Sequence, residues 1–213
     1  MRVAVLIYPH FSLQEVTALT SCLVLNYEQR LEFVGSEIVA SESEEGFLVT
    51  PTVTVFEAWD RVYDCVILPG IINPLPALFD SRLIDFLQRV KENNPGVLFA
   101  AISSSPLLLA KAGLLDDAKF TAGFFMQMVE HFPFIRSENF VHQPVVEDGN
   151  VITAIGFAWR EFAQAVMGRL GFPVGEGFMA PVSKDYSQGE LTFFWEDADY
   201  EEFLTELKQY TGA

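Results

Sequence analysis

The chain has 213 residues, enough for one large domain or two very small ones, and half of them are hydrophobic, ample for a filled core. Its 29 acidic residues against 13 basic ones leave a net charge of −16, which argues against a nucleic-acid surface or an anionic-membrane patch, since both need clustered Lys and Arg. The two cysteines, Cys22 and Cys65, lie in apolar stretches with no signal peptide, and no stretch approaches the ~20 apolar residues of a membrane span. A cytoplasmic, soluble protein is expected.

Short apolar runs alternate with segments of helical period, the pattern of βαβ units on both faces of a mainly parallel sheet. The first strand reads as Val3–Tyr8. A helix follows, with Ser12 as N-cap and Glu15 at the capping-box spacing. Leu31–Val39 reads as a second strand, and the acidic run Glu42–Glu45 as a solvated loop. Phe47–Val55 reads as an edge hairpin or excursion, because Pro51 cannot donate to a central ladder. Asp64–Leu68 is a buried strand ended by Pro69 and Gly70, and helical segments follow at Leu75–Phe79 and Arg82–Asn93. Val97–Ile102 is the most apolar strand and is expected to be central.

Beyond the serines 103–105, the helix Leu107–Ala112 is closed by Gly113. Lys119–Ala122 reads as a short strand and Phe125–His131 as a helix. Phe140–Val146 and Val151–Ile155 read as a hairpin turning at Asp148-Gly149, before the helix Trp159–Leu170. The tail carries a strand-like Leu191–Trp195 and a helix Tyr200–Tyr210. No repeat, linker or boundary divides the chain, so a single domain over 1–213 is expected, with a core of about 2–171 and a C-terminal extension of about 172–213.

Open parallel sheets place their sites at the carboxyl ends of strands. Three such ends stand out here: Pro9–Ser12, Pro69–Ile71 and Ser103–Ser105. The last has the form of a nucleophile elbow, with small residues Ala101 and Ser105 on either side of Ser103. A helix start directly after it offers free N–H groups for an oxyanion. The same residues also read as three serines capping a helix that opens at Pro106, and pattern alone leaves both readings open.

The chain resembles the DJ-one/PfpI/ThiJ superfamily of class I glutamine-amidotransferase-like proteins over roughly residues 2–171. The resemblance is carried by Val3–Tyr8 with Glu15, by 64–70 (DCVILPG), by 100–115 (AAISSSPLLLAKAGLL), by 151–156 (VITAIG) and by Glu161-Phe162-Ala163. It implies a flavodoxin-like three-layer sandwich, commonly a homodimer, with no organic cofactor or metal. It implies that Glu15 hydrogen-bonds a nucleophile at position 103, with backbone N–H groups near Gly70 and Ser104 as oxyanion hole. Family activities include glyoxalase, deglycase or amidase, chaperone-like, peptidase and isocyanide-hydrating functions.

The departures from the family pattern are chemical. Position 103 is serine where the family has cysteine, Gly123 stands where a histidine often follows, and Ile71 replaces the second glycine of the oxyanion turn. A serine hydroxyl is not ionised near neutral pH and needs an adjacent base. His10, on the loop after the first strand, is the one stand-in; His131 and His142 read as structural or surface residues. Glu15 reads either as a capping residue or as the family acid with a raised pKa, and the resemblance favours the acid. Phe124 and Phe125 stand where the histidine would be and imply a drier pocket. The aromatic stretch Phe120–Phe134 is expected to line that pocket or to pack a dimer interface.

Two functional readings follow. One is a non-catalytic member that keeps a small-molecule pocket at the elbow. The other is a hydrolase or lyase using Ser103 on a small carbonyl compound or amide, with His10 or a Glu15-held water as base. The joint loss of thiol, histidine and glycine favours the first.

Overall fold

The computed structural model describes residues 1–174 and 185–212. Its centre is a seven-stranded sheet in the order β5-β2-β1-β6-β7-β9-β8. These strands are β1 Val3–Ile7, β2 Leu31–Gly35, β5 Val53–Thr54, β6 Cys65–Leu68, β7 Leu98–Ile102, β8 Val145–Asp148 and β9 Val151–Ala154. All neighbours pair in parallel except β8 with β9, the hairpin expected around Asp148-Gly149. A separate two-stranded hairpin joins β3 Ser41–Glu42 to β4 Leu48–Val49.

The core strands are apolar throughout because both of their faces are covered. On one face, Val3, Val5, Cys65, Ile67, Leu98, Ala100 and Ile102 pack with helix α1 (Gln14–Ser21) and with α6 (Trp159–Arg169). On the other, Ala4, Leu6, Val66, Leu68, Phe99 and Ala101 meet α2 Leu75–Leu78, α3 Ser81–Asn93 and α4 Pro106–Lys111. Alternate residues of each strand thus feed two separate cores, and the result is a flavodoxin-like three-layer sandwich. Cys22 and Cys65 are buried free thiols, one on the α1 side and one in β6. Among the described residues, no helix is long and apolar enough to cross a membrane.

The structure corrects several sequence expectations. Ser12 does not cap α1: the N-cap residue is Leu13, and the cap comes from Glu45, 31 to 33 positions along the chain. The region 47–55 is split between β4 and β5. Pro51 falls in the bend between them, packed so tightly that a Cβ on Gly35 would meet it at 2.4 Å. Lys119–Ala122 forms only a bridge between Phe120 and Phe140, and Leu191–Trp195 only one between Phe125 and Phe193. The helix expected at Phe125–His131 shortens to α5, Met128–His131.

The C-terminal extension ends in α7, Asp197–Thr211, which packs back on the core; its residues 175–184 lie outside the described ones. Asn73 donates to Glu206, Tyr210 stacks on Phe79, and Phe203 and Leu207 are buried. The aromatic stretch 120–134 is spent on this packing. Phe125 stacks on Trp195 at 4.1 Å, Phe132 meets Phe203 edge-on, and His131 hydrogen-bonds Tyr200 at 2.5 Å.

Candidate functional site at the Ser103 elbow

Ser103 directly follows β7 and has φ = 61°, the left-handed region that costs an L-residue about 1–2 kcal/mol. Two neighbours hold it there: Ser103 N–H donates to Ala154 O in β9, and Gly123 N–H donates to Ser103 O, both at 2.8 Å. Ser105 fastens the turn from beneath. Its buried hydroxyl accepts from Ile102 N–H at 3.0 Å and faces the carbonyls of Leu68 (2.9 Å) and Ile102 (2.8 Å). None of the three serines caps α4 with its side chain, so the capping reading gives way to a strained elbow. Ser103 itself stays partly exposed.

The three strand ends converge. Ser12 N–H donates to Gly70 O at 2.8 Å, Phe11 pairs with Ile71, and a Cβ on Gly70 would lie 2.7 Å from Ser103 Cβ. Between these ends sits the Glu15 carboxyl. A Cβ on Gly70 would fall 1.5 Å from Glu15 Oε2, and one on Gly156 would fall 2.2 Å from Glu15 Oε1 and 3.3 Å from Ser103 Oγ. Both positions must therefore be glycine for the acid to reach the elbow. Gly156 was not singled out from the sequence. Its signal is the one Gly70 carries, a glycine just beyond the carboxyl end of a core strand.

Burial is the main force on Glu15, and it raises the carboxyl pKa to about 8. The charge of Glu44 pushes the same way, the Ser103 hydroxyl pulls against it, and smaller effects follow from the Glu45 charge, which raises it, and the Gly70 N–H, which lowers it. Neither the Ser103 hydroxyl nor the Gly70 N–H reaches hydrogen-bond geometry with Oε2, which is buried without a partner among the described residues. Burial thus favours the protonated form of Glu15 near neutral pH.

Glu45 has the opposite character. Partial burial opposes its ionisation, but donation from Gln14 N–H, Ser43 hydroxyl, Leu13 N–H and Ser12 hydroxyl outweighs that and takes its pKa down to about 2. The acidic run is therefore a clamp on the amino end of α1 and not only a solvated loop. Nothing local in the sequence announces it.

The other candidates are placed as follows. Gly123 lies over the elbow: a Cβ there would be 3.4 Å from Ser103 Cα and 3.7 Å from its Oγ. The Ser104 N–H donates to no acceptor among the described residues. Ile71 and Phe124 turn their side chains into the main core at 1% and 2% exposure, so their contribution to the site is backbone. Phe124 packs on Phe140, not over Ser103. His10 has φ = 61°, is exposed, and makes no side-chain hydrogen bond to Ser103 or Glu15 among the described residues. His142 is held by Thr192 and Gln188. Among the described residues no group of three or more His, Cys, Asp or Glu could hold a metal ion.

A cavity of about 370 Å³ opens nearby at the carboxyl ends of β1 and β2, walled by Tyr8, Pro9, Ser36, Ala77 and Leu83. Neither Ser103 nor Glu15 is among its lining residues.

The model of the DJ-1/PfpI family matches residues 1–169. The chain belongs to that family. It is 31% identical over 110 residues to protein dj-1beta of Drosophila melanogaster, a match covering 51% of this chain and 56% of that protein. It is 34% identical over 112 residues to DJ-1alpha of the same fly, covering 51% and 49%. The matches thus span about half the length of these curated relatives. Among solved structures, a DJ-1 superfamily protein from Agrobacterium tumefaciens superposes with a TM-score of 0.71 at 21% identity, covering 97% of this chain and 98% of that one. A thiJ/pfpI family protein from Bacillus anthracis gives 0.70 at 22%, covering 83% and 86%. At these identities the likeness is one of fold.

Proposed function

We propose that this DJ-1/PfpI family member binds a small molecule at the Ser103 elbow without the cysteine chemistry of its relatives. One observation carries the reading: the strained elbow and the Gly-flanked acid are both kept, yet the titratable group packed against Ser103 among the described residues is a carboxyl whose burial favours its protonated form near neutral pH. A neutral acid donates a hydrogen bond but does not take the serine proton. The free N–H of Ser104 and the Glu15 carboxyl suit a ligand carrying a carbonyl or amide oxygen. A cytoplasmic homodimer is part of the same proposal.

The test is a thermal-shift screen of small carbonyl and amide compounds against the protein and against Gly123→Leu. The substituted side chain starts 3.7 Å from Ser103 Oγ and occupies the space over it. A hit that stabilises the protein and loses its effect in the variant supports the reading. Hits that stabilise both equally, or no hits at all, count against it.

A second reading has one observation in its favour. Positive φ at both Ser103 and His10 is strain of the kind that clusters at reactive sites. In that reading Ser103 attacks a small carbonyl or amide, and His10 or a water held by Glu15 takes its proton.

A further inference from the structure

We infer that the loop carrying Glu44 and Glu45 is a charge filter that restricts the Ser103 site to neutral or cationic ligands and turns away carboxylates and phosphates. This deepens the proposed small-molecule function and rests on it.

Helix amino ends attract anions. The amino end of α1 is the one that delivers Glu15 to the elbow, and its Leu13 and Gln14 N–H groups are already filled from within. Ser12 hydroxyl, Leu13 N–H and Gln14 N–H all point at the Glu45 carboxylate, at 2.9–3.1 Å. The loop is also pinned to the site backbone: His10 N–H donates to Glu42 O, and Glu44 N–H donates to Phe11 O, whose residue pairs with Ile71 next to Gly70. The Glu44 and Glu45 charges consequently act on Glu15 itself, the group beside Ser103. His10 and Tyr8 are the other titratable groups on the strand and loop leading into α1. His10 is exposed to solvent, and Tyr8 is buried with its hydroxyl donating to Pro69 O.

The test places a reporter thiol at the elbow with Ser103→Cys. Its rates are measured with three methanethiosulfonates of matched chemistry: neutral methyl, cationic ammonioethyl and anionic sulfonatoethyl. Each rate is divided by that of 2-mercaptoethanol. The expected order is cationic, then neutral, then anionic, with about threefold or more between the first and the last, compressed at ~0.5 M salt because exposed charges are screened. Adding Glu44→Gln compresses the series too; among the described residues that carboxylate makes no hydrogen bond, so the variant is expected to stay folded even where Glu45→Gln does not. Relative rates equal to those of 2-mercaptoethanol overturn the filter and leave the open elbow standing. A thiol that reacts with none of the three reagents overturns the small-molecule site, and the filter with it.

Discussion

The Glu15 carboxyl lies so close to Gly70 that a single added methyl on the glycine would stand 1.5 Å from Oε2. Gly70→Ala is therefore expected to force the acid out of its seat, destabilising the protein by about 1–3 kcal/mol, as overpacking does. In the double variant Gly70→Ala, Glu15→Ala only the acid's share of that cost is recovered, because Ser103 Cβ still lies 2.7 Å from the added methyl. Urea unfolding of the four proteins in the cycle measures the coupling; additive effects would place Glu15 elsewhere.

Stability follows Glu15 in alkali. Its folded pKa of about 8 lies above the unfolded value near 4.5, so the folded state holds a proton that the unfolded chain releases. The associated stability is complete below pH 4.5 and is lost as pH rises through 8. Unfolding free energy measured from pH 5 to 9 is expected to decline, and Glu15→Gln to flatten the decline. An unchanged slope in the variant would assign it to another group.

Glu45 produces the reverse slope. Its folded pKa of about 2 lies below the unfolded value, so its contribution is present above pH 4.5 and lost as pH falls towards 2. Glu45→Gln is expected to weaken the α1 cap by about 1 kcal/mol at pH 7, in line with other cap losses. It is also expected to reduce the acid slope. Circular dichroism melts at pH 3 and pH 7 check both.

The elbow stores strain. Ser103→Gly relieves a left-handed L-residue but adds chain entropy, leaving a net gain of up to about 1 kcal/mol. Ser105→Ala removes a buried hydroxyl that serves Leu68 and Ile102, and it is expected to cost about 1–3 kcal/mol through the unpaired backbone groups it leaves. Denaturant midpoints that move in opposite directions for these two serines would separate strain from support.

Much of the architecture was legible. The strands β1, β6 and β7 and the helices α3 and α6 lie within a residue or so of their expected bounds, because continuous apolar runs and helical stripes are local signals. The strand–helix turn at Ser103 was legible too, but its small residues fitted an elbow and a helix cap equally, and the positive φ of Ser103 separates the two. The meeting of Glu15 with position 103 was carried by the family resemblance and not by periodicity. What escaped depended on distant partners. Ser12 looked like a cap until Glu45 arrived from the β3–β4 hairpin, and Phe124 looked like a pocket wall until Phe140 covered it. Neither contact leaves a trace within a window of neighbouring residues.

Ser103 has the Glu15 acid against it and, among the described residues, no histidine hydrogen-bonded to it, and the proposed function takes it as unreactive. Intact-mass measurement after treatment with a serine-directed acylating probe at pH 7 tests it most directly. No adduct on the protein, with Ser103→Ala indistinguishable from it, is the result expected. An adduct on the parent protein that Ser103→Ala abolishes would contradict it and make this elbow a working nucleophile.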